Sequence, residues 1–252
     1  MDYKDLVACQ EHIEALHRAD RFVKMSERED RCDMNVEAWA GLLKTQNLQT
    51  WKGVVLQAGI TELGIFPMLL HELKPKTIIE FGTCTGGKAL WFTDHLEILG
   101  IEGRVYSMDI DPSLIDKKVK GDLRITFLEG DSFHVEKTLT PDLLASFPHP
   151  WLIIEDAHVN VSGILDYLHQ NGLQAGDYIV VEDTNPLLWE YWVKEKDWSL
   201  KHEVEGGPLL MNELREWVLR HESEYLVDTH YQDMYGYNVS INWNAFLKRV
   251  SP

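Results

Sequence analysis

Five short apolar runs, each ending in or running straight into an acidic residue or a glycine, govern what the chain from residue 77 onward can fold into. The runs are TIIEF at 77–81, RVYSMD at 104–109, ITFLEG at 125–130, WLIIED at 151–156 and YIVVED at 178–183. Longer stretches of helical periodicity separate them, the signature of βαβ units and a parallel sheet. The last sixty residues add a helix pattern, PLLMNELREWVLR, then the run YLVDT and a run around Ala245 to Val250. These supply two further strands, the last pair antiparallel. The expected fold is a Rossmann-like α/β sheet of seven mostly parallel strands with helices on both faces.

Ahead of that region, Leu6, Val7, Ile13, Leu16, Phe22 and Val23 fall at mostly helical spacing and predict an amphipathic helix over residues 4–24. A charged break, SEREDRCD, precedes a second helical stretch near Val36 to Leu43. A third, ending in MLLHEL, runs into the Lys-Pro-Lys boundary at 74–76. The chain thus divides into a helical extension or cap over 1–75 and a main domain over 76–252, with no repeat or long linker. The extension suits either a lid or a subunit contact, so a homo-oligomer is among the expectations.

The formal charge of −17, from 41 acidic against 24 basic residues, repels phosphate backbones and anionic headgroups. Nucleic acid and membrane surfaces are therefore excluded as expected partners, and a small molecule is favoured. The first twenty residues hold no apolar run long enough for a signal or a membrane span. Cys9, Cys32 and Cys84 form neither a disulfide framework nor a metal-ligand spacing. The expected location is the cytoplasm.

Open α/β sheets bind ligands in the crevice beyond the carboxyl ends of their strands, which is where the acidic endings converge. After the first run comes Glu80-Phe81-Gly82-Thr83-Cys84-Thr85-Gly86-Gly87-Lys88, whose glycines let the backbone turn sharply and approach a ligand before a helix begins. The spacing is neither GxGxxG nor GxxxxGK[ST], and a ligand lacking phosphate suits Glu80 better than a dinucleotide does. Asp109 is placed to accept both hydroxyls of a ribose, with Asp111 a weaker substitute. Gly130-Asp131-Ser132 is the kind of turn that brings an amide and a carboxylate to an adenine edge. Glu80, Gly82, Thr83, Gly86, Gly87, Asp109, Gly130, Asp131 and Ser132, with Asp156 adjoining, read together as a site for S-adenosylmethionine. The competing reading is that each acidic residue only caps the helix that follows.

The fourth and fifth runs lead into Glu155-Asp156-Ala157-His158 and Glu182-Asp183-Thr184-Asn185, so carboxylates from neighbouring strand ends face one another. Crowded hard anions without cysteine call for magnesium, with calcium or manganese as substitutes. His158 is the candidate general base, since an imidazole titrating near 6.5 accepts a proton at neutral pH; the alternative is packing at a helix start. His17, His71, His95, His169 and His221 read as structural. His134-Val135-Glu136 lacks a strand-end partner for an iron site.

With these positions assigned, the sequence resembles the cephalosporin hydroxylase and rhamnosyl O-methyltransferase family and, more loosely, macrolide-sugar O-methyltransferases. The likeness runs from about residue 50 and rests on Thr50-Trp51-Lys52-Gly53, on Pro75 followed by Ile78-Ile79-Glu80-Phe81-Gly82-Thr83 and Gly86-Gly87, on Gly176 through Thr184, and on Gly206-Gly207-Pro208. It implies a class I methyltransferase fold, S-adenosylmethionine as donor and a magnesium site at Asp156, Glu182 and Asp183, with Glu155 an alternative first ligand. The chain departs from the pattern between Gly53 and Pro75, at Lys88 where relatives often carry Ser, and at Ala157-His158.

The expected function is metal-dependent methylation of a hydroxyl on a small natural-product or sugar-like acceptor. Its rivals are metal-independent N- or C-methylation, a nucleotide-dependent oxidoreductase, and a silent nucleoside-binding module. Trp189, Trp192, Trp198, Met234, Tyr235 and Tyr237 are candidates to roof an acceptor pocket, though Trp189 and Trp192 equally suit an ordinary helix stripe.

Overall fold

A computed structural model of the chain describes residues 18–189 and 208–251. Strand β1 (Phe22–Val23) and helix α1 (Val36–Leu43) come first, then a hairpin of β2 (Thr50–Trp51) and β3 (Val54–Val55), then α2 (Ile60–Leu73). The alternating region follows as β4 (Thr77–Phe81), α3 (Gly87–Ile98), β5 (Arg104–Asp109), β6 (Ile125–Glu129), α4 (Val135–Thr138), α5 (Pro141–Ala145), β7 (Trp151–Glu155), α6 (Val161–Asn171) and β8 (Tyr178–Val181). The C-terminal part contributes α7 (Pro208–Arg220), β9 (Tyr225–Asp228), α8 (Thr229–Gln232) and β10 (Phe246–Arg249).

One sheet runs in the order β1-β9-β10-β8-β7-β4-β5-β6. The five strands from β8 to β6 are parallel, and β10 is antiparallel to both β8 and β9. The sheet has eight strands where the apolar runs predict seven. The additional one corrects the end of the expected helix over 4–24: Phe22 and Val23 pair antiparallel with Asp228 and Val227, while residues 4–17 of that stretch lie outside the described residues. A two-residue pairing leaves no periodicity to read, and both residues had been absorbed into a helical count.

Alternation along the central strands sorts side chains to opposite faces. Ile79, Phe81, Ile153, Ile179 and Val181 pack with Ile164, Leu165 and Leu168 of α6 and Leu214 and Trp217 of α7. Ile78, Leu152, Ile154 and Val180 pack with Ile65, Phe66 and Leu69 of α2 and Ala89 and Phe92 of α3. Burial on both faces is why these strands read as continuous apolar runs.

The segment before β4 is tied to the sheet by charge as well as by pairing. Arg21, 3% exposed, bonds Asp228 through Nε at 2.8 Å and Nη2 at 2.6 Å, and reaches both oxygens of Glu72 at 2.9 Å. Tyr178 and Tyr231 hydroxyls complete the network on Asp228 and Glu72. Asn35 caps α1, its side chain accepting from the Ala38 amide at 2.9 Å. Among the described residues no helix is long and apolar enough to cross a membrane.

Candidate active site

The chain enters the parallel region at β4, winds outward through β5 and β6, then returns to β7 on the other side of β4. The β4–β7 boundary is therefore the topological switch point, where a crevice opens beyond the strand ends. Register aligns those ends: Phe81 lies beside Met108 and Glu155, and Glu155 beside Val181.

The glycine turn fills the first part of this crevice. Gly82 has φ +90°, and a Cβ there would stand 2.5 Å from the Asp156 carbonyl oxygen. Gly86 has φ +78° and leads into α3. A Cβ on Gly87 would meet the Val55 carbonyl at 2.0 Å, because the β2–β3 hairpin crosses the start of α3 at that point. Thr85 Oγ donates to the same carbonyl at 2.7 Å. Gly82→Ala is expected to lower the melting temperature and to weaken nucleoside binding at least about tenfold, since it adds both strain and a clash. Calorimetry beside a thermal melt measures both.

Glu80 is fully buried beneath the turn, bonded by Ser107 Oγ, which in turn shares a 2.6 Å contact with Thr83 Oγ. Burial pushes the Glu80 carboxyl up to about 7 despite the nearby Lys88 charge. Asp109 ends β5 and accepts from the Cys84 amide at 2.8 Å and the Asp111 amide at 2.9 Å, which clamps the turn against the second strand. Asp111 and Asp131 act locally as caps, accepting from the amides of Ser113 and Phe133. Gly130 is boxed in by Thr138 and Met108, and Ser132 accepts through its carbonyl from Asn160 at 2.9 Å. Nine of the ten residues expected around the nucleoside thus lie on β4, β5 and β6 or on the segments that leave them, at the crevice edge of the sheet, and the tenth, Asp156, follows β7.

Beside the turn is the acidic cluster. Ligand atoms of Asp156, His158 and Asp183 all lie within 4.8 Å of one another. His158 Nε2 stands 3.1 Å from Asp156 Oδ1 and 3.4 Å from Asp183 Oδ2, wedged between the two carboxylates without a directed hydrogen bond. Lys88 Nζ bonds Asp156 Oδ2 at 2.6 Å and Glu182 Oε2 at 2.5 Å. Buried Asp183 Oδ1 and Glu182 Oε1 have no hydrogen-bond partner among the described residues. Orphaned carboxylate oxygens of this kind fit a divalent cation, and Asp156 and Asp183 are the residues placed to hold it. Glu155, the alternative first ligand, is fully buried; its Oε1 accepts from the amides of Ala157 and His158, and its Oε2 has no hydrogen-bond partner among the described residues. Within the expected three-carboxylate set, Lys88 takes one oxygen each of Asp156 and Glu182.

Backbone strain gathers at the same place. Cys84, His158, Asn160 and Asp183 all have positive φ between 45° and 59°. Non-glycine residues in this region persist where their surroundings over-determine them. For Asp183 those surroundings are visible: Asn242 Oδ1 accepts from its amide at 2.9 Å, and Trp189 Nε1 donates to its carbonyl at 2.8 Å. The buried loop Asn238–Asn244 supplies Asn242 and also binds Asn185 through the Ser240 carbonyl and Thr184 through the Trp243 carbonyl. Sequence reasoning passed over this loop, whose signal is asparagine and serine alternating with apolar residues outside any strand. Trp189 packs edge-on to His158 at 5.8 Å and Tyr235 is half exposed. Tyr237 lies under Arg28 and Arg31, while Trp192 and Trp198 fall outside the described residues.

Charge in the cluster is unevenly shared. Burial alone would lower the His158 pKa, but the contact and charge of Asp156, with Asp183 and Glu155, outweigh it and push the imidazole up to about 9. The expectation of a base titrating near neutrality is thereby corrected for the metal-free protein, in which His158 holds its proton at pH 7. Burial pushes Asp183 and Glu155 up to about 7. Raised imidazole stability is complete below about 6.5 and is lost as pH climbs through 9; raised carboxyls cost stability as pH climbs toward 7. Both trends point the same way. Chelator-treated protein should lose melting temperature steadily between pH 6 and 9, and His158→Gln should flatten the upper part of that profile.

A class I methyltransferase fold is what this topology defines, with the glycine turn, Asp109 and the acidic strand ends at the carboxyl edge of its sheet. The chain belongs to the rhamnosyl O-methyltransferase/CmcI family, whose model matches residues 44–250. Rhamnosyl O-methyltransferases of Mycobacterium leprae and Mycobacterium tuberculosis H37Rv are 28% and 26% identical over 149 and 141 residues, covering 55% and 54% of this chain. The matched stretch spans about three fifths of those relatives' lengths, 62% and 57%. The fold is also that of the CmcI apo structure, with TM-score 0.64 and 24% identity over 100% of this chain and 98% of the other. A CmcI structure described as Mg-SAM superposes with TM-score 0.61 at 23% identity, covering 96% of each chain.

Proposed function

We propose that the chain transfers a methyl group from S-adenosylmethionine to a hydroxyl of a small sugar-like or natural-product acceptor, assisted by a divalent cation. The observation that carries this reading is the convergence of Asp156, His158 and Asp183 within 4.8 Å directly beside the Gly82–Gly87 turn. A nucleoside donor on the turn and an oxygen on the cluster would then meet across one short gap, the condition for in-line attack. The rhamnosyl O-methyltransferase names of the relatives and the magnesium and S-adenosylmethionine of the CmcI structure support the donor, the metal and the acceptor class.

Glu80 and Asp109 hold the nucleoside side of the site, and Asp156 and Asp183 would hold the cation. When bound, the cation lowers the pKa of an acceptor hydroxyl and orients it. With the carboxylate charge offset, His158 would take the hydroxyl proton. S-adenosylmethionine on the turn would supply the methyl group, its carbon–sulfur bond breaking as the acceptor oxygen bonds the carbon and S-adenosylhomocysteine being the leaving group. Trp189, packed on His158, keeps water from one side of the ring.

Incubation with methyl-labelled donor and a panel of hydroxylated sugars and glycosides, with and without chelator, tests this reading. Label transfer that is abolished by chelator and restored by magnesium supports it. Transfer to amines alone, indifferent to chelator, would replace it with metal-independent N-methylation.

A further inference from the structure

Resting on the metal site proposed above, we infer that Lys88 is a resident counter-cation that withdraws Glu182 from metal coordination and lowers the affinity of the site for divalent ions. Lys88 lies in the first turn of α3, immediately after Gly86-Gly87, and is 5% exposed. An ammonium in that position is buried at a cost that only close anions offset. Its partners are Asp156 at 2.6 Å and Glu182 at 2.5 Å, with the Glu80 carboxyl adding a third negative neighbour. Ion pairs on two sides hold the ammonium in the cluster.

Two consequences follow from the contacts. One of the three negative charges of Asp156, Glu182 and Asp183 is cancelled before any metal arrives. Geometry also divides the cluster: Lys88 takes one oxygen each of Asp156 and Glu182, while Asp156 Oδ1 and Asp183 face His158 on the other side. Asp156 and Asp183 remain the anionic ligands, and Glu182 serves as the partner of Lys88. A unit positive charge this close to the metal position, in a poorly solvated crevice, weakens divalent binding by at least about tenfold. The strand-end carboxylates are thus the same in kind as a three-carboxylate magnesium site but differ in what they can hold. Lys88 is the residue that sets the difference.

The test is metal binding, independent of turnover, on protein loaded with S-adenosylhomocysteine. Free Mn²⁺ is counted by electron paramagnetic resonance, and Mg²⁺ is titrated by calorimetry. Lys88→Ser and the size-matched Lys88→Met should each bind Mn²⁺ at least about tenfold tighter than wild type. Glu182→Gln alone leaves Lys88 uncompensated and should weaken Mn²⁺ binding by about the factor that Lys88→Ser strengthens it, whereas adding it to Lys88→Ser should remove the gain, because Glu182 becomes a ligand once released. Should the Lys88 variants fail to fold, Glu182→Gln in the native background still decides. Unchanged affinity there, with Lys88 left uncompensated beside the site, overturns the inference. Unchanged affinity in both Lys88 variants, with binding still abolished by Asp183→Asn, overturns the inference and leaves the metal site standing. Absence of Mn²⁺ binding in wild type and Lys88→Ser alike removes the metal site itself, and the inference with it.

Discussion

Asp183→Asn is expected to fold, to bind S-adenosylhomocysteine as the wild type does, and to lose about 100-fold or more of the metal-supported turnover. The carboxylate it removes is 5% exposed; its Oδ1 has no hydrogen-bond partner among the described residues and its Oδ2 stands 3.4 Å from His158 Nε2, so no hydrogen bond is forfeited at Oδ1. Its backbone amide, held by Asn242, and its carbonyl, held by Trp189, are untouched by the change of side chain. What is lost is a negative charge and a hard ligand, on which orientation of an acceptor oxygen depends. Steady-state rates at saturating magnesium, set beside cofactor affinity by calorimetry, separate the two effects. Full activity would remove Asp183 from the metal site.

Arg21→Ala should be the most destabilising exposed-to-core boundary change, costing about 3–5 kcal/mol in denaturant unfolding. Asp228, fully buried, would lose the guanidinium and keep, among the described residues, the Tyr178 hydroxyl and the His230 amide. Arg21 also carries β1 onto the sheet edge, with its carbonyl accepting from Thr229. Arg21→Lys should recover part of the loss, since an ammonium restores charge but not the paired bonds to Asp228 and Glu72. A loss below about 1 kcal/mol would show that the segment before β4 is not held to the sheet by this network.

Much of this molecule was legible before its structure. The five parallel strands show as apolar runs because both sheet faces are covered, and the antiparallel pair β9–β10 shows as two further runs near the C-terminus. That the residues proposed for the nucleoside share one edge of the sheet is legible because they fall at fixed offsets from strand ends, where a sheet must place its crevice. The acidic cluster is legible for the same reason as a group, but not in its pairing. A sequence gives Glu182 and Asp183 as neighbours; only the left-handed backbone at Asp183 sends one toward His158 and the other toward Lys88. His158 was legible as a site residue, but its titration depends on three carboxylates from two strand ends and so could not be read from spacing. Strand β1 escaped because two residues carry no period, and Arg21 beside it because its partners lie 51 and 207 positions away.

The central claim is that the crevice beyond β4, β5 and β6 takes S-adenosylmethionine. It is tested most directly by titrating the protein calorimetrically with S-adenosylmethionine and S-adenosylhomocysteine, each with and without magnesium, with NAD as control. Micromolar binding of both sulfur nucleosides and none of NAD is the predicted result. Binding of NAD, or of neither sulfur nucleoside, would contradict the account of the glycine turn and of every residue assigned around it.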